Sequence, residues 1–133
     1  MPRMTGWAAA MGIVIVAAGV DEVVAELEVG EVHRQAFGVV HGGVYCGLIE
    51  TATSMGAWLV ANARGQSVMG VDNATSFIKA TSSGVLRGTA APLAKGRRSQ
   101  LWEATVRDGL GKVVAVGRVR FICFAASDTR SGC

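Results

Sequence analysis

Glu50 is the residue whose chemistry needs explaining. It stands within residues 44–60, a stretch apolar on nearly every side: Val44, Tyr45, Leu48, Ile49, Ala52, Met55, Ala57, Trp58, Leu59 and Val60. A carboxylate in such surroundings must be paired or used. Ser54 lies one helical turn further along the same side. Eight residues before Glu50, His41-Gly42-Gly43 opens the stretch. A glycine turn at a helix N-terminus offers free N–H groups and the positive end of the helix dipole, and it lets a ligand approach the backbone closely. Together these residues would supply an attacking oxygen and a site for a developing oxyanion. Two plainer readings stand beside this one. Gly42-Gly43 fits a turn that needs positive φ, and Glu50 fits a carboxylate satisfied by local hydroxyls.

The spacing has a geometric consequence. Eight residues of helix span about 12 Å, so Gly42 and Glu50 of one chain cannot reach the same carbon atom. If they cooperate, the glycine of one subunit faces the glutamate of another. Two antiparallel helices across a two-fold axis achieve this and create two equivalent sites, so the catalytic reading predicts an obligate dimer. His41 is read as orienting the turn rather than as an acid. Cys46 has no dedicated base in sequence view and is read as inert packing. Asp72 and Asn73 either line the pocket from the strand after the helix or are edge polar groups.

The elements that must position these residues follow from patterning. Gly12 and Gly19 bracket a β-branched block, Ile13–Ala17, read as a first strand. The apolar run Trp7–Val20 behind Arg3 also has the look of a signal peptide, but it is short for a membrane span. Val23, Ala25, Leu27 and Val29 alternate with acidic residues, giving a second strand with one wet face. After a loop and the helix, which should stop near 62–65, strands are expected at Val68–Ala80, Val85–Leu93, Ser99–Arg107 and Val113–Phe124. Asp108-Gly109-Leu110-Gly111-Lys112 is a strong hairpin signal. Ala125–Cys133 reads as a loose tail. The pattern gives one α+β domain over residues 1–133, with its core at about 11–124 and an antiparallel sheet curled around one long helix.

Composition narrows the class. Half of the residues are hydrophobic and only 17% are charged, which suggests that much of the surface is covered by another subunit. Three cysteines without ligand spacing fit a reducing cytoplasm and argue against zinc or a disulfide framework. Two histidines are too few for most metal sites. Nine basic residues between 79 and 120 suggest a polyanionic partner or solvated strand faces. Few aromatics interleave with them, so nucleic acid is disfavoured.

The string Val40-His41-Gly42-Gly43-Val44-Tyr45-Cys46-Gly47-Leu48-Ile49-Glu50-Thr51-Ala52 resembles the helix opening of hotdog-fold acyl-CoA thioesterases. It is most similar to the branch containing the phenylacetate-pathway enzyme and the Arthrobacter-type 4-hydroxybenzoyl-CoA thioesterase. Gly70–Ala80, Gly84–Ala90, Gly96-Arg97-Arg98 and residues 108–115 carry the resemblance onward. It implies a dimer, often a dimer of dimers, that hydrolyses acyl-CoA without a cofactor, a membrane or nucleic acid. It implies Glu50 as nucleophile or general base, and the Gly42 N–H as the group polarising the thioester carbonyl. Gln35 and His41 match positions that support the turn and the substrate, and Ser54 replaces a threonine that places water or the carboxylate. Gly43 and Asn73 fall beside the substrate, and Arg97 and Arg98 are candidates for the coenzyme A phosphates. Three rivals remain: a non-catalytic acyl-CoA sensor, a hotdog enoyl-CoA hydratase, for which no matching motif is found, and a dimeric scaffold with no ligand.

Overall fold

The computed structural model describes residues 4–127. A short helix, α1 (Gly6–Ala10), leads into strands β1 (Val14–Ala18) and β2 (Val23–Glu28). The long helix α2 (Gly42–Ala63) follows, then β3 (Gln66–Phe77), β4 (Val85–Lys95), β5 (Ser99–Arg107) and β6 (Val113–Ala125). The strands form one antiparallel sheet in the order β1-β2-β4-β5-β6-β3. Helix α2 packs against β2 to β6, which is the expected α+β arrangement.

Period-two alternation decides which face of each strand meets the helix. In β5, Gln100, Trp102, Ala104 and Val106 are buried, while Leu101, Glu103 and Thr105 are half-exposed. In β6, Val119 and Phe121 point inward, and Arg118 and Arg120 point out. These rows pack on Leu48, Ile49, Ala52 and Val60 of α2. Gly56 lets the helix approach, because a Cβ there would lie 2.3 Å from the Trp102 ring. The two buried polar side chains of β5 are paired. Trp102 Nε1 donates to Gln100 Oε1 at 2.8 Å, and Gln100 Nε2 donates to Ala57 O at 3.1 Å.

Four features depart from expectation. Residues 6–10 are helical. Gly12, at φ 73°, donates to Ala9 O while Ile13 donates to Ala8 O, the paired bonds that end a helix on a left-handed glycine. Second, β3 and β4, consecutive in the chain, are not joined by a short turn and do not pair. The intervening segment carries the chain from one sheet edge to a place between β2 and β5. Third, β3 ends at Phe77 rather than Ala80. Fourth, α2 is not covered on all sides. Gly47, Glu50, Thr51, Ser54 and Trp58, spaced by three or four residues, form a half-open stripe. Helix α1 covers part of it, with the Trp7 ring so close to Gly47 that a Cβ there would lie 2.1 Å away. The expected loose tail begins inside β6, which runs to Ala125, and its residues 128–133, Cys133 included, lie outside the described residues.

Candidate active site

Glu50 sits on the open stripe of α2, and β3 supplies its partners. Asn73 Nδ2 donates to Glu50 Oε1 at 2.9 Å and to Cys46 O at 3.1 Å. Ser54 Oγ donates to Glu50 Oε2 at 3.4 Å. Thr75 Oγ1 donates to Asn73 Oδ1 at 2.7 Å. The carboxylate also lies over Gly70, where a Cβ would be 2.7 Å from Oε2. Gly70 and Asn73 are three apart, so in a regular strand they would face opposite sides. A bulge reconciles them. Gly70 pairs with Phe121 and Asp72 with Arg120, leaving Val71 as the extra residue. Asp72 is thereby turned out to solvent. The free side of the carboxylate opens on a cavity of about 400 Å³ lined by Ser54, Met55, Trp58, Val68 and Phe121, with Met4 and Thr5 at its rim.

The N-terminal end of α2 is organised by His41. It is the N-cap residue, and its Nδ1 accepts the Gly43 N–H at 2.8 Å, which assigns the ring proton to Nε2. Val44 N–H donates to His41 O at 2.9 Å. Among the described residues, no acceptor meets the Gly42 N–H. Neither glycine has positive φ, so the turn does not need them for conformational freedom. They are needed for closeness: a Cβ at Gly42 would lie 2.7 Å from the Phe77 ring, and one at Gly43 2.9 Å from His41 Nδ1. A second cavity, about 230 Å³, adjoins Gly42, Tyr45, Phe77 and Lys79. Gln35 serves its own turn, its side-chain oxygen accepting from the Phe37 N–H, and has no hydrogen bond to His41 or Glu50. His33 is buried and structural, joined to Gly30 N and Met11 O at 2.8 Å each.

Residues 37–115 match the family described as the thioesterase superfamily. The chain belongs to that superfamily. It is 47% identical over 112 residues to the esterase-named protein Rv1847 of Mycobacterium tuberculosis, covering 83% of this chain and 80% of the other. It is 37% identical over 109 residues to the proofreading thioesterase EntH of Cronobacter sakazakii, covering 82% and 79%. The solved Rv1847 structure superposes with a TM-score of 0.88 at 44% identity, over 90% of this chain and 97% of that one. Thioesterase HI1161 of Haemophilus influenzae gives 0.82 at 31% identity, over 89% and 82%. The sheet and its central helix are therefore the hotdog fold, and the protein is a thioester hydrolase.

Within this thioesterase chain, Glu50, Ser54 and Asn73 come together, while His41 and Gly42 stand at the N-terminal end of α2 and Gln35 in the loop before it. Asn73, expected beside the substrate, gives both of its amide protons to Glu50 and Cys46. Arg97 and Arg98 are exposed in the turn after β4, near the C-terminal end of α2, where Arg64 donates to Lys95 O and Gly96 O. Of the basic residues between 79 and 120, Lys79, Arg87, Lys95 and Arg118 pair with Asp108, Glu26, Asp21 and Glu103. Among the described residues, Arg97 and Arg98 have no acidic partner. In the sequence, Gly70, Thr75 and Phe77 read as part of a strand and not as site residues. A lone glycine in a strand pattern is a known bulge signal, so Gly70 carried a clue.

Proposed function

We propose that the protein is an acyl-CoA thioesterase acting as a homodimer, with a further pairing into a dimer of dimers. The observation that carries this is the division of labour along α2. Glu50 opens on the larger cavity, and the free Gly42 N–H adjoins the smaller one, about 12 Å away along the same helix. Each protomer thus holds two half-sites, and a two-fold axis joins the Glu50 half of one to the Gly42 half of the other. The free edge of β3 supports this pairing. It is a 12-residue edge strand with Val71, Phe77 and, just beyond it, Ile78 exposed, and such an edge is normally paired or covered.

In this reading the partner's Gly42 N–H, at a helix N-terminus, stabilises negative charge on the thioester oxygen. Glu50 either takes a proton from an attacking water or attacks the carbonyl carbon itself. Either way a C–O bond forms, the C–S bond breaks, and the thiolate leaves to collect a proton; on the second route water then cleaves the Glu50–acyl anhydride, releasing the acid and restoring the carboxylate. Ser54 holds Oε2 or the water. His41 fixes the turn, and Gln35 shapes the approach to it. Gly43 gives close backbone approach. Arg97 and Arg98 meet the coenzyme A phosphates from the rim. No cofactor is required beyond the coenzyme A carried by the substrate. The free thiols Cys46 and Cys123 accord with a reducing cytoplasm.

The test is thiol release from aromatic, short, medium and long acyl-CoA by wild type and Glu50→Gln. A folded, dimeric Glu50→Gln should lose about 10²–10⁴-fold in kcat. Equal rates in the two proteins would refute the role of Glu50.

A further inference from the structure

We propose that Asn73, locked by Thr75, is a positioning residue that sets which oxygen of Glu50 faces the substrate. The proposal rests on the reading of Glu50 given above. The hydrogen bonds determine the orientation of the amide. Its nitrogen faces two acceptors, Glu50 Oε1 at 2.9 Å and Cys46 O at 3.1 Å. The opposite orientation would set Oδ1 against both of them. Thr75 Oγ1, at 2.7 Å, donates to Oδ1 and completes the lock. Oε1 is thereby tied to β3, leaving Oε2 over Gly70 as the oxygen toward Ser54 and the cavity. A glutamate has three rotatable side-chain bonds. On a half-open helix face it would otherwise sample several placements, and a misplacement of about 1 Å can cost 10²-fold in rate. The bulge at Val71 is what brings Asn73 to this face, so it belongs to the same device.

The inference separates from substrate binding by its kinetic signature. Asn73→Ala should lower kcat by about 10–100-fold, with KM changed less than about 2-fold. Thr75→Val, which removes only the lock, should lower kcat in the same sense by a smaller factor. Thr75→Ser, which keeps the hydroxyl, should restore it. In a Glu50→Gln background, Asn73→Ala should cost little more, because the two act as a unit. A rise in KM at unchanged kcat would overturn the proposal and make Asn73 a substrate contact. Wild-type kcat in folded Thr75→Val would also overturn it, as would a thermal-stability loss with kcat per folded molecule intact. If Glu50→Gln is itself fully active, the failure lies with Glu50 and is recognised by that arm alone.

Discussion

Gly70→Ala should separate activity from stability. The backbone at Gly70 is not in the left-handed region, so alanine adopts it without strain. Alanine in a strand is favoured over glycine by about 0.5–1 kcal/mol, so the variant should melt no lower than wild type. The new Cβ would lie 2.7 Å from Glu50 Oε2, against an ordinary contact of about 3.4 Å. The next nearest atoms are the Phe121 ring at 3.6 Å and the Glu50 carboxyl carbon at 3.8 Å, both at ordinary contact distance, so it is the carboxylate oxygen that must yield. It moves by about 0.7 Å while Asn73 still holds its other oxygen, and on the scale of 10²-fold per ångström kcat falls roughly 10–50-fold. That corresponds to about 1.4–2.3 kcal/mol of transition-state stabilisation. Thiol release under saturating acyl-CoA, with thermal melting on the same sample, reads both quantities. A stable variant with kcat within about 2-fold of wild type would refute the claim that the position of Oε2 limits the rate. A change confined to KM would assign Gly70 to the substrate instead.

Two further outcomes concern the scaffold. Gly56→Ala drives a Cβ to 2.3 Å from the fully buried Trp102 ring, and overpacking there should cost about 1–3 kcal/mol, read as a lower urea midpoint at unchanged m. Asp108 is held at a pKa of about 2, against 3.8 for the free side chain, first by the Lys79 hydrogen bond and then by the Lys112 N–H. Its charge therefore stabilises the fold above pH 3.8 and ceases to do so as pH falls through about 2. The stability gap between wild type and Asp108→Asn should be full at neutral pH and close over that window. A gap that persists at pH 2 would show that the charge is not its source.

What the sequence disclosed followed from short-range periodicity. The alternation at Gln100–Val106, the apolarity of residues 44–60 and the turn at Asp108–Lys112 each depend on neighbours alone. In the structure Asp108 N–H donates to Lys112 O at 2.9 Å, as that hairpin requires. The features that stayed hidden depend on distant partners. Helix α1 is only five residues long, and its Trp7 finds a place only because Gly47 lacks a side chain. The meeting of Asn73 with Glu50 hinges on one extra residue at Val71, and such a slip inverts which side chains face the core. The glycines of the His-Gly-Gly turn were legible as important but for an incomplete reason. Phe77, 35 positions downstream, is what excludes a Cβ at Gly42.

Strand β3 ties the two half-sites together. Its Gly70 and Asn73 serve Glu50, while its Phe77 packs on Gly42. In the proposed dimer a two-fold axis through this edge would exchange the two ends, bringing the Gly42 end of one subunit to the Glu50 end of the other. Subunit mixing tests this directly. Gly42→Pro removes the N–H at the first helical position, where proline is tolerated, and His41 at φ −64° and ψ 135° already has the conformation that precedes proline. Gly42→Ala carries a comparable Cβ intrusion toward Phe77 but keeps the N–H, so the difference between the two isolates that hydrogen bond. Glu50→Gln and Gly42→Pro homodimers should each be inactive. Unfolded, mixed in equal amounts and refolded, they form heterodimers in about half of the molecules, each with one intact site, so roughly a quarter of wild-type activity should return. If Glu50 and Gly42 of the same chain served one site, every heterodimer would contain two broken sites and nothing would return. Recovery near a quarter therefore requires a site shared between subunits, and its absence in well-mixed, folded dimers would refute the arrangement.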